Sequence, residues 1–78
     1  MELKLFYRTQ RDLAMALNQL VDAYWNEEII EKQLINGVKN LYENNENKLM
    51  KNNQFTTVLQ QQCGKRRLAV VERILELE

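Results

Sequence analysis

Apolar residues at helical spacing are the feature that most constrains this chain. Leu13, Leu17, Leu20, Val21 and Tyr24 fall on one face of a helix, and Ile30, Leu34, Val38, Leu41 and Tyr42 repeat the pattern. Such stripes must be buried against one another, which predicts an all-α fold, a small bundle of three to four helices. With 78 residues the chain is expected to form a single domain, 1–78, near the lower size limit for a self-sufficient core. The opening "MELKLFY" alternates imperfectly and can form an extended arm over residues 1–8; a strand there has no evident partner.

Local chemistry sets the helix boundaries. "TQRD" places the Thr9 hydroxyl three residues before an acid, so the first helix is predicted over about 10–24. Asn26 is the expected N-cap of a second helix over about 27–43, with Glu27 and Glu28 at the positive end of its dipole and Trp25 stapled onto Ile30. Gly37 lies inside the stripe and costs about 1 kcal/mol of helix propensity relative to alanine, which close packing against the first helix would explain. "ENNENKLMKNNQ" then breaks the periodicity. Asparagine side chains compete for backbone hydrogen bonds, so residues 44–54 read as an Asn-rich loop anchored by Leu49 and Met50, with Phe55 re-entering the core.

A short third helix over 57–63, capped by Thr57 with Gln60, is expected to end at Gly64 in a left-handed conformation. A fourth follows over 65–77. One unbroken helix from Thr57 is the alternative. In the fourth helix Leu68, Val71 and Leu75 form one stripe and Val70, Ile74 and Leu77 a second. Together they make a face wider than one neighbouring helix covers.

The chain is poor in reactive groups. It has no histidine, no serine and one cysteine, which removes Ser-His and Cys-His nucleophiles, an internal disulfide and a Cys/His zinc site. Neither glycine lies in a phosphate-loop motif. No cofactor, metal or catalytic residue is therefore expected, and the chain is read as non-enzymatic. There is no long apolar run and no signal-peptide pattern, so a cytoplasmic protein without membrane contact is expected; a single thiol suits a reducing compartment. Cys63 reads as a small buried hydrophobe and Trp25 as a core residue.

Charge is balanced overall but divided along the chain. From Asp12 to Glu46, seven acids against two cations leave −5; from Lys48 to Arg73, six cations against one acid leave +5. Lys65, Arg66 and Arg67 open the fourth helix with the wrong sign for its dipole. They are either solvated, or paired with second-helix acids such as Glu27, Glu28, Glu31 or Glu43, or form an anion site with the free N–H groups of the helix start. A short helix, a glycine and a basic helix start also outline a helix-turn-helix. Lys65, Arg66 and Arg67 would then meet nucleic acid, with Gln61 and Gln62 as further polar contacts and Lys48, Lys51 and Arg73 on the backbone. The neutral charge and the amide-rich short helix weigh against that reading. Tyr7, Arg8 and Arg11 make a smaller basic edge, most simply ordinary helix-start surface.

"LFYRTQRDLA", "VDAYW" and "QQQCGKRRL" resemble recurrent segments of a family of short, functionally uncharacterised helical proteins of clostridia and related Gram-positive bacteria. The resemblance spans nearly the whole chain. It implies a bacterial cytosolic setting and supplies no activity, cofactor or site residue. The leading expectation is a non-enzymatic protein–protein interaction or regulatory module, homodimeric through a face of Leu68, Val71, Ile74 and Leu75. The alternative is a small nucleic-acid-binding regulator acting through Lys65, Arg66 and Arg67.

Overall fold

The computed structural model describes residues 6–76, in the order α1 Gln10–Trp25, α2 Glu31–Asn44, α3 Glu46–Leu49, β1 Met50–Lys51, β2 Gln54–Phe55 and α4 Thr57–Glu76. The expected all-α bundle is what forms, with one very small hairpin added. Most of the expected N-terminal arm, and Leu77 of the second stripe, lie outside the described residues. Helix α1 is central and packs most extensively on α4, then on α2. Along α1, Ala14 meets Cys63, Asn18 meets Gln62 and Asp22 meets Arg67, so α1 touches α4 on both sides of residue 64.

Thr9 begins α1 as anticipated: it is extended, and its Oγ1 accepts from the Asp12 N–H at 3.0 Å. The end of α1 differs from expectation. Glu27 takes φ 61, its N–H donates to Tyr24 O at 3.0 Å, and the Glu28 N–H donates to Ala23 O at 2.8 Å. This is a Schellman closure, and it uses the residues assigned to the start of the second helix. Asn26 is thus the C-cap of α1, and α2 begins at Glu31 after an extended Ile30 whose N–H donates to Gln33 Oε1 at 3.0 Å. Trp25 is not in the core but 43% exposed, and Ile30 is 64% exposed.

Along α2, Leu34, Val38 and Leu41 are buried. A Cβ on Gly37 would stand 2.9 Å from Leu20 Cδ2, so the glycine serves the close approach of α2 to α1. The asparagine-rich segment is more ordered than a loop. Asn45 is buried; its Oδ1 accepts from the Tyr7 N–H at 3.1 Å and its Nδ2 donates to Leu41 O at 3.0 Å. The single turn of α3 buries Leu49. Asn52 and Asn53, at φ 53 and 64, then form a two-residue turn that sets Met50 opposite Phe55. Such turns need positive φ at both central residues, which asparagine tolerates better than most side chains.

Thr56, not Thr57, precedes α4: its carbonyl accepts from the Gln60 N–H at 3.0 Å, while its hydroxyl donates to Lys48 O at 3.1 Å. The Gln60 amide reaches back to Phe55 O at 2.7 Å. Helix α4 bends at Gly64, where φ is 80 and ψ is 166. The joint is present, but with an extended ψ instead of the left-handed helical one expected; this region is open essentially to glycine alone. Leu59 and Cys63 before the bend, and Leu68, Val71 and Ile74 after it, enter one core. Leu68, Val71 and Ile74 are buried within the subunit because both α1 and α2 flank this limb, which leaves Leu75 and Val70 only partly covered.

Candidate functional site

The three consecutive cations have different surroundings. The Arg67 guanidinium donates from Nε to Asp22 Oδ1 at 2.9 Å and from Nη2 to Asp22 Oδ2 at 3.0 Å. Its Nη1 donates to Cys63 O at 3.2 Å, a carbonyl at the end of the first limb. Donating these hydrogen bonds to the Asp22 carboxylate holds the guanidinium still more firmly protonated than usual. Arg66 instead stacks over Trp25, with Cζ 5.6 Å from the ring centroid. Lys65 is exposed, as are Gln61 and Gln62, although the Gln62 carbonyl accepts from Asn18 Nδ2 at 3.0 Å. Of the three cations, Lys65 and Arg66 are thus the exposed ones.

The acid that engages the triplet lies on α1, not on the second helix. Asp22 sits in the last turn of α1, where a carboxylate opposes the helix dipole, and that misplaced sign was the available signal. Cys63 beside this pair is buried, and burial pushes its thiol up to about 11 against the pull of the Arg67 charge. The thiol donates to Ala14 O at 3.7 Å, and its raised pKa favours the neutral form.

A second feature lies between α2 and α4. Tyr24, Leu34, Ile35, Val70 and Ile74 line an open groove of about 370 Å³, with Glu31 on the α2 wall and Arg73 on the α4 wall. Glu31, Leu34 and Ile35 follow the spacing of one helix face, and Val70, Arg73 and Ile74 do the same on the other wall. Trp25 and Ile30, next in the chain to Tyr24 and Glu31, are both exposed. Arg66 and Val70 are one turn apart on α4, which makes the Trp25–Arg66 stack continuous with the groove. Of the four residues proposed for a dimer face, only Ile74 lines it. Sequence reasoning missed Ile35 and Trp25, although Ile35 beside the Leu34 stripe already widened the apolar surface of α2.

The groove offers an apolar floor, one acid and one base. Among the described residues, no group of three or more His, Cys, Asp and Glu side chains is placed to hold a metal. No described helix is long and apolar enough to cross a membrane.

Residues 4–76 match a family of conserved hypothetical proteins. The chain belongs to the CLB_0814_fam family. The CLB_0814_fam match takes in every element described above, including both walls of the groove and the bend at Gly64. No curated protein and no solved structure matches the chain.

Proposed function

We propose that this domain is a non-enzymatic protein–protein interaction module that pairs with a second copy of itself, α4 forming one wall of the contact. The open α2–α4 groove, with exposed Trp25 stacked on Arg66 one turn from Val70, carries this reading. Scattered exposed side chains such as Phe6 and Met15 are ordinary, but a connected apolar surface with charged rims is the form a binding face takes. Zero formal net charge sets no overall repulsion between copies, and a chain this small gains from association. The working location is the cytoplasm of a clostridium or related bacterium, in keeping with a lone buried thiol.

Sedimentation equilibrium between about 1 and 200 μM tests the reading through mass action. A concentration-dependent dimer weakened at least tenfold by Val70→Asp is the expected result. A monomer throughout that range refutes it.

Nucleic-acid binding is the second reading, favoured by one observation: the Gly64 bend leaves Lys65 and Arg66 exposed at the start of a helical limb. Against it, Arg67 is committed to Asp22, and the joint is a single residue where helix-turn-helix turns use three or four. Titration with mixed duplex DNA at ~50 mM salt decides, because phosphate contacts must weaken steeply as salt rises. Binding lost in a Lys65→Ala/Arg66→Ala variant supports this second reading, and no binding removes it.

A further inference from the structure

We infer that the two copies pair about a twofold axis that sets Glu31 of each against Arg73 of its partner. The inference rests on the self-association reading and names the contact that fixes its geometry. Its basis is the distribution of charge across the groove. The acid stands on α2 and the base on α4, on opposite walls of one apolar trough, and they form no ion pair with each other. A twofold axis lays α2 of one copy over α4 of the other, because an isologous contact returns residue j to i wherever i meets j. Each interface then holds two Glu31–Arg73 pairs around apolar contacts from Ile35 and Val70. A contact that sets Glu31 on Glu31 or Arg73 on Arg73 juxtaposes like charges at the groove walls instead, which disfavours it.

The Glu31–Arg73 pairs act as determinants of register more than of affinity, since rim charges select orientation and suppress wrong arrangements. Ile35 and Val70 supply the apolar contact. Glu31 and Arg73 lie on the surface and hold none of the core, so charge reversal at either leaves the fold intact, which circular dichroism verifies for each variant.

Mixing charge-reversed variants provides the test. Glu31→Arg alone places two cation–cation contacts in its homodimer, and Arg73→Glu alone places two acid–acid contacts in its own. Each is expected to raise the dimer Kd about tenfold or more at ~50 mM salt. An equimolar mixture of the two variants contains a heterodimer in which both opposed pairs are again of opposite sign, and its Kd is expected to return to within about threefold of the unaltered protein. Recovery on mixing cannot come from pairing within one chain, because each variant carries like charges at both positions. A heterodimer no tighter than the variant homodimers, alongside a normal unaltered dimer, overturns the twofold register while leaving the interaction module standing. A monomeric unaltered protein overturns both.

Discussion

Arg67 and Asp22, 45 positions apart in the chain, are joined by two nearly parallel hydrogen bonds of 2.9 and 3.0 Å. A planar guanidinium matches a carboxylate in this two-point geometry, which lysine cannot reproduce. The third bond, to Cys63 O, ties the bend in α4 to the same side chain. One side chain thus links the two helical limbs to each other and to α1.

Arg67→Ala should lower unfolding free energy by about 1–2 kcal/mol in urea titrations. The side chains are 34% and 41% exposed, so solvent screening limits the pair itself to about 1 kcal/mol, and the remainder comes from the released Cys63 carbonyl. Asp22→Asn should cost less, since it leaves the carbonyl contact in place. Equal losses for the two variants would show that the contact with Cys63 O adds nothing.

Gly64→Ala should destabilise by about 1–3 kcal/mol, although a Cβ there meets no atom within 4 Å. The penalty is conformational, not steric crowding by neighbours. Thermal melts of the alanine variant measure it, and a change below about 0.5 kcal/mol would mean that the bend tolerates a side chain.

Gly37→Ala should behave differently in two backgrounds. In the unaltered protein the added methyl group presses on buried Leu20, and the expected effect is neutral to destabilising. With Leu20→Ala already present, the same change should stabilise by up to about 1 kcal/mol through helix propensity. Additive effects in this double-mutant cycle would contradict the close approach of α1 and α2.

Raising the pH should weaken the fold through Cys63. Its thiol stands at about 11 in the folded chain against an ordinary 9.0, so the folded state holds the proton more tightly than the unfolded state. The associated stability is fully present below pH ~9 and is lost as pH rises toward 11, amounting to up to roughly 3 kcal/mol. Cys63→Ala is less stable at neutral pH but lacks this loss, so the stability gap between the two proteins should narrow from pH 8 to 11. A constant gap would count against the buried neutral thiol.

What was legible in the sequence was mostly local. Thr9 with Asp12 marked the start of α1, the apolar stripes marked the helices, and Gly64 marked the bend. The start of α2 was misread because a glutamate, Glu27, holds the positive φ usually left to glycine, so the Schellman closure carried no compositional flag. The hairpin was hidden because consecutive asparagines read equally as loop or as mirror-image turn. Burial of Leu68, Val71 and Ile74, the Asp22–Arg67 pair and the groove walls all depend on which helices become neighbours, a relation that periodicity does not contain.

The Gly64 bend also bears on how so short a chain closes around its interior. Run straight, the 20 residues of α4 would stretch about 30 Å, against a longest molecular dimension of 31 Å. A single rod of that length would shelter one side and leave the opposite wall bare. Turned at residue 64, it becomes two panels meeting at a corner, so this protein encloses its interior with fewer separate helices than its length would otherwise require.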